Sequence, residues 1–464
     1  MSSLPDATDG SSGLRVAPMV PIDNSAWTWT RFINAFEVSE FTNWQDESLS
    51  WKKTAYIGDW SQAHKLRVRG PEAHAFFAFL STMHWPNFRV HQCKHAIMCR
   101  DDGMIVGEGL VMKLGSEDFI FTSGPAGIEW AKFQHKQGRR KFNCAIEDVS
   151  KEWYLFQIQG PKSIEIMEAA TGTGIKDLFF MNAKEMSIKG MEFLALRQGV
   201  SGERGYELWG PAKDAHAIYK AIVVAGEPFG LRQLGMRTKL VNHSFCVLIF
   251  DKLLTHGKVE AAVSTPISDF LPAVYGNDPE IKRYLEYLES NGINTALFRL
   301  QPGGNYSSDP AVHQHSPYDL GWEKFVDLSP EHEFIGRETL VSIAANPPNK
   351  WVALEWNSED VIDVYASLFR EESHDYMELP RILTLHADSV YLNEELIGSA
   401  FSRCYSYWFK KMISNAILSR QHSTPGTEVV VKWGSGEHGP QKMIRAIVKE
   451  APYKHDVRRK KIEQ

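Results

Sequence analysis

Two acidic positions stand out among the residues whose type and spacing can carry chemistry. In residues 197–208 (RQGVSGERGYEL) glycines recur at every third position, Gly199, Gly202 and Gly205, and place Glu203 near a turn and Glu207 on a following strand. Glycines so spaced bend the chain tightly before it extends. A carboxylate fixed there can accept two parallel N–H bonds from a planar heterocycle. Spacing alone fits a hairpin with two exposed glutamates as well. The second position is Glu108, the one acid in the apolar run 104–111, which follows an Asp101-Asp102-Gly103 turn. An unpaired carboxylate is costly to bury, so Glu108 either faces solvent or is a candidate for acid–base or electrostatic work.

Other signals carry less. Residues 434–439 (GSGEHG) fit GxGxxG, but Pro440 follows and 443–448 reads as a strand, so a hairpin loop is expected rather than a dinucleotide site. No GxxxxGK[ST], GxSxG or HExxH occurs, and His91/His95 and His313/His315 lack further ligands at metal-site spacing, so no metal site is expected. The five cysteines are scattered, without a CxxC pair, which argues against a disulfide framework or structural zinc.

The elements that must position these residues follow a repeated scheme. Alternating runs at 65–69, 156–159 and 206–209 each lead through Gly-Pro (70–71, 160–161, 210–211) into an apolar helical stretch. Glycine permits the strand-to-helix turn and proline suits a first helical turn. Such units suggest α+β modules with helices on one sheet face. From Trp351 onward short alternating runs broken by turn residues suggest an all-β sandwich or barrel.

At about 150 residues per domain, 464 residues suggest about three domains. The net charge of −6 argues against nucleic-acid binding, and Arg458-Arg459-Lys460-Lys461 reads as a solvated tail. No apolar run reaches the ~18 residues of a membrane span, and residues 1–13, rich in Ser, Asp and Gly without an apolar stretch, are not expected to act as a signal peptide. A cytoplasmic location with no membrane partner is expected.

Several motifs together resemble a known family. Residues 197–208 resemble the RTGYTGExGFEL motif of the aminomethyltransferase (T-protein) of the glycine cleavage system. Residues 156–162 resemble its LQGPKA element, 234–237 its GLGARD turn and 333–338 its FIGRE element, all in the same order. The elements at 271–275 and 364–369, with Trp356-Asn357 upstream, are similar to the branch of tetrahydrofolate-dependent aromatic O-demethylases acting on vanillate and syringate. That branch also includes demethylation of the dichlorinated methoxybenzoate dicamba.

The resemblance implies an α+β, three-domain cloverleaf around a central folate channel. Its expected divisions are a folate-binding domain of 1–60 plus 151–345, a second α+β domain of 61–150, and a β-rich barrel or jelly-roll of 346–464. It implies an enzyme that moves a methyl group from an aryl methyl ether to N5 of tetrahydrofolate, leaving a phenol. Aminomethyl or sulfonium methyl transfer, or folate binding without catalysis, are the alternatives.

Carried over position by position, Glu207 is the pterin-binding glutamate, and Arg237, Tyr206, Val200 and Glu203 belong to the cofactor site. Val200 stands where the motif has tyrosine. An Asp-Asp pair of the family becomes Gly107-Glu108, a tyrosine expected after the GLGARD arginine becomes Lys239, and a DVSH-like turn becomes Asp59-Trp60-Ser61-Gln62. The implied catalytic set is Glu108, Lys239 and Gln62, with Trp60, His64 and Asp59 lining the ether site. Residues 245–262 look like an insertion.

Overall fold

The computed structural model describes residues 15–16, 28–32, 35–243, 279–291, 301–305, 315–379, 381 and 384–460. The 245–262 insertion, the 271–275 element, residues 1–13, His313 and Lys461 lie outside the described residues.

The repeated units build two mainly antiparallel sheets. The first runs Ala183–Ile188, Met191–Leu196, Gly205–Pro211, Trp153–Gln159, Tyr56–Asp59, Arg232–Leu234, with only the last pair parallel. Helices Ser163–Thr171 and Ala215–Gly226 cover one of its faces, and Tyr154, Phe156, Ile158, Ile166 and Ile218 fill the core between. The second runs Cys93–Cys99, Ile105–Gly115, Asp118–Ser123, His64–Arg69, Ala145–Asp148. Helices Ala73–Leu80 and Pro125–Gln137 pack on it through Phe76, Phe77, Ile128 and Phe133.

Two of the three Gly-Pro turns share one physical cause. Gly70 (φ +137°) and Gly160 (φ +131°) take a backbone conformation that side chains disfavour, and a Cβ would meet a carbonyl oxygen at 2.7 Å and 2.6 Å. The helices begin two residues past each proline, at Ala73 and Ser163. Gly210 differs: it stays within its strand, and its missing side chain leaves room for the Tyr154 ring.

The tail is a closed six-stranded barrel. Strands Thr384–Leu392, Glu395–Ser406, Lys411–Ser419, Asn349–Trp356, Lys442–Lys449 and Glu428–Trp433 pair in that order, and the last returns to the first through Val390 opposite Val431. GSGEHG is the loop between two of these antiparallel strands, with Trp433 opposite Lys442.

Three apolar seams join the units pairwise, which makes the arrangement a cloverleaf. Leu155, Leu194 and Trp209 of the first sheet meet Cys93, Met112 and Ile120 of the second. Tyr56 and Leu234 meet Cys404 and Ile413 of the barrel, and Ile97 and Cys99 meet Ile417 beside Leu320 and Trp322. One expected division differs. Tyr284, Tyr287 and Ile335 complete the core of the second sheet, so segments of 279–345 pack there and not on the first. Apolar side chains go where uncovered helix faces remain, and the helix Pro125–Gln137 offers one to Pro279–Ser290.

Candidate active site

Strand pleating sorts the site. Along Trp153–Gln159, Tyr154, Phe156 and Ile158 point into the helix-covered core, so Leu155, Gln157 and Gln159 point to the opposite face. Gln157 lies opposite Glu207 on one neighbouring strand and opposite Gly58 on the other. Registered neighbours share a face, with adjacent strands about 4.8 Å apart. Glu207, Gln157 and Gly58 therefore form a row, and the Trp60 indole occupies the space a Gly58 side chain would fill.

At one end of this row Glu207 is buried with neutral donors only: Gln157 Nε2 donates to Oε1 at 2.9 Å and Trp209 Nε1 to Oε2 at 3.2 Å. Burial pushes its carboxyl up to about 7, against the two hydrogen bonds and the positive charge of Arg458. Two ionised carboxylate oxygens offer about four acceptor sites, so the group retains capacity for a ligand's N–H groups.

The glycine loop supports this carboxylate indirectly. Gln159 Nε2 donates to Gln157 Oε1 at 3.0 Å, and Gln159 Oε1 accepts from the Ser201 backbone N–H at 2.9 Å and from its hydroxyl. Side chains at Gly199 or Gly205 would collide with Gln159, whereas Gly202 supplies the positive φ (+69°). Two of the three glycines thus make room, and one makes the bend.

At the other end Lys239 and Glu37 form a buried ion pair, Nζ to Oε2 at 2.6 Å, each side chain 5% exposed. Lys239 also donates to the Asp59 carbonyl and lies 4.8 Å from the Trp60 ring centroid. Gln62 Nε2 donates to the other Glu37 oxygen. Burial raises Glu37 to about 7; Lys239 opposes this and Asp59 adds to it. Burial likewise raises Asp59, whose Oδ1 accepts from the Ser61 N–H at 2.8 Å and whose buried Oδ2 has no partner.

Two buried charges hold these pieces. Lys65 Nζ donates to the carbonyls of Ser61 (2.8 Å) and Ala63 (2.7 Å), which ties down the turn carrying Trp60 and Gln62. Burial pulls its ammonium down to about 7, against the charges of Asp59 and Asp148. Glu47 Oε2 accepts from the Gly235 N–H at 2.8 Å and the Thr238 hydroxyl at 2.7 Å, which anchors helix Met236–His243 and hence Lys239.

The remaining expected residues are placed elsewhere. Tyr206 faces the helix-covered core, because it alternates with Glu207 on one strand. Glu203 is paired with Lys454 at 2.9 Å and Lys52 at 3.5 Å, its charge already matched. Arg237 pairs with Glu40 at 3.2 Å and lies beside Trp44. Val200, half-buried, lies in the glycine loop. Glu108 contacts His95, whose ring stands edge-on to Trp322 and Phe325. His64 lies two strands from Glu108 in the second sheet, opposite Ser123, whose hydroxyl donates to the Glu108 carbonyl at 2.5 Å. The structure thus gathers Asp59, Trp60, Gln62 and Lys239, and sets Glu207 along the same face.

The basic cluster is solvated only in part: Arg459 and Lys460 are exposed, whereas Arg458 is held against the glycine loop, as is Lys454 just before it. Arg458 Nη1 donates to the Gly199 carbonyl at 2.6 Å, Lys454 Nζ to the Gly202 carbonyl at 2.7 Å, and Arg197 Nη2 to the Arg458 carbonyl at 3.2 Å. The segment straps the glycine loop, because that loop exposes carbonyls which no strand pairs. Sequence reasoning also assigned no role to Glu37, Gln157, Gln159 or Trp209. The period-two placement of Gln157 and Gln159 was a signal for two of them; nothing local marks Glu37.

Among the described residues no three His, Cys, Asp or Glu side chains cluster to hold a metal ion, and no helix is long and apolar enough to cross a membrane.

Residues 22–242 match the family described as the GCVT N-terminal domain. The chain is 30% identical over 432 residues to sesamin methylene transferase of Sinomonas sp., covering 89% of each. It is 29% identical over 436 residues to syringate O-demethylase of Sphingobium sp., again covering 89% of each. The fold superposes on the crystal structure of glycine cleavage system aminomethyltransferase T from Bartonella henselae with a TM-score of 0.64 at 16% identity, covering 93% of this chain and 95% of that one.

Proposed function

This chain belongs to the aminomethyltransferase family, and we propose that it is a tetrahydrofolate-dependent enzyme that demethylates an aromatic methyl ether in the cytoplasm. The observation that carries this reading is the row on one sheet face: a buried carboxylate with spare acceptor capacity at one end, a buried cation over an indole at the other.

The donor set fits tetrahydrofolate. Glu207 meets only neutral donors, and paired N–H groups of a pterin complement it. Gln157 and Trp209 fix the carboxylate in orientation. When bound, tetrahydrofolate supplies the nucleophilic nitrogen that receives the one-carbon unit. The difficulty is the leaving group: an aryl oxide departs more readily when a donor stabilises or protonates its oxygen. Lys239 has three N–H donors and spends two on Glu37 and Asp59, so one is left for the ether oxygen. Trp60 offers a flat face to an aromatic ring.

The expected products are a phenol and 5-methyltetrahydrofolate when protein, tetrahydrofolate and methoxylated aromatic acids, the dichlorinated methoxybenzoate among them, are mixed without oxygen. No phenol from any of them would end this reading. The similarity to sesamin methylene transferase favours one second reading, delivery of a methylene instead of a methyl carbon. A methylenedioxy-aryl substrate giving methylenetetrahydrofolate and a catechol distinguishes it.

A further inference from the structure

Glu37 has no part in the sequence motifs, yet it is the group most intimately tied to Lys239. Both side chains are almost fully buried, Nζ to Oε2 is 2.6 Å, and Gln62 occupies the second carboxylate oxygen. A buried ammonium without a counter-charge gives up its proton to escape the cost of desolvation. Removing one member of a buried pair strands the other.

We propose that Glu37 is a positioning residue for proton delivery: it holds Lys239 charged and aims its free N–H at the ether oxygen. This rests on the demethylase reading above. The bond from the methyl carbon to oxygen breaks, its electron pair stays on oxygen, and the oxygen takes a proton from Lys239. The carbon bonds to N5 of tetrahydrofolate, and the proton released from that nitrogen restores Lys239, so atoms and charge balance.

Titratable groups come to the pair from several packed elements; among them the buried Glu47, on helix Trp44–Lys53, holds the Gly235 N–H and the Thr238 hydroxyl at the start of the helix that carries Lys239, and burial raises its carboxyl. Asp59 lies on the adjoining strand of the first sheet, Gln62 on the turn after it, and Lys65 beneath that turn. The Glu40–Arg237 pair lies between the same strand and helix as Glu37 and Lys239. Asp59 is the second carboxylate near Lys239 and helps Glu37 to retain its proton below neutrality. Acidification therefore weakens the pair by neutralising Glu37.

The test uses Glu37→Gln, which keeps the shape and one acceptor oxygen but turns the other into an amide donor, and Glu37→Asp, which keeps charge. For an ether whose phenol is weakly acidic, Glu37→Gln should lower kcat at least about 100-fold, within the range of a lost general acid. For the dichlorinated substrate the loss should be at most about tenfold, because that oxide leaves without a proton. The basic limb of the kcat profile should move to lower pH, Glu37→Asp should recover part of it, and tetrahydrofolate affinity should stay within about threefold. Nitrogen-15 NMR of lysine-labelled protein, with Lys239 assigned by Lys239→Arg, reads the pair directly: Lys239 should lose its proton at lower pH in Glu37→Gln than in the parent.

Equal losses on both substrates with an unmoved pH profile overturn the proposal, as does an unmoved Lys239 titration. A Lys239 titration that moves in a protein inert toward every aryl ether places the failure in the demethylase reading, and the proton-delivery role falls with it.

Discussion

Glu207 and Glu37 are both buried, and burial raises both to about 7, yet their surroundings differ in kind. Glu207 meets two neutral donors and no contacting cation; Glu37 is locked against Lys239, with a second carboxylate nearby. The first arrangement leaves charge and acceptor sites for a ligand to satisfy. The second is already satisfied, and what it offers is the remaining proton of its partner. On the proposed reading the same titration range serves recognition at one end of the row and proton transfer at the other, because contacts and not the titration value determine what a carboxylate can do.

The widest separation of the two ends should come from Lys239→Met, with kcat lowered about 10²–10⁴-fold, as for loss of a general acid, while tetrahydrofolate affinity stays within about threefold. Steady-state rates and calorimetry read the two. A variant that loses cofactor affinity instead would place Lys239 at the wrong end.

Glu207→Ala should do the reverse, weakening tetrahydrofolate at least about tenfold, roughly 1.4 kcal/mol, with kcat at saturating cofactor largely kept. Unchanged affinity would remove Glu207 from the cofactor site. In the parent protein, affinity should fall as pH drops through about 7, since protonating Glu207 removes an acceptor.

Stability without ligand should run the other way. Glu207 keeps its proton in the folded state up to about 7, whereas the unfolded chain releases it near the ordinary value of 4.5. The folded state therefore binds more protons between these values, and this contribution is lost as pH rises from about 4.5 through 7. Thermal melts at pH 5 and 7.5 should show Glu207→Gln flattening that part of the profile; an identical profile would mean the buried carboxyl is not responsible.

The smallest effect is expected at Gln159→Ala. It removes the hydrogen bond that orients Gln157, worth about 1 kcal/mol, along with the two from Ser201 that tie down the glycine loop, and since Glu207 itself is untouched it should reduce cofactor affinity no more than about fivefold. A loss as large as that of Glu207→Ala would show that the glutamine relay, and not the carboxylate, dominates recognition.

Much of this was legible in the chain. Gly70-Pro71 and Gly160-Pro161 mark strand-to-helix turns because only glycine tolerates φ near +130° there, a constraint felt within a few residues. The barrel strands and the hairpin at 434–439 are written in period-two alternation broken by turn residues. Glu207 was marked by its glycines, although their reason is Gln159, 40 or more positions upstream, and not the bend alone. Tyr206 was misplaced by adjacency in the motif; the pleat turns it to the opposite face.

What was not legible depends on segments distant in sequence. Glu37, Asp59 and Lys239 come from three stretches, and Lys454 and Arg458 reach back more than 250 positions to the glycine loop. Backbone sterics and side-chain alternation act over a few neighbours, so the order of residues dictates the strands, the turns and the face each side chain takes. Desolvation and charge pairing depend on which remote segment covers a group, and only the assembled fold turns Glu37 and Lys239 into a pair and gives Glu207 neutral hydrogen-bond donors.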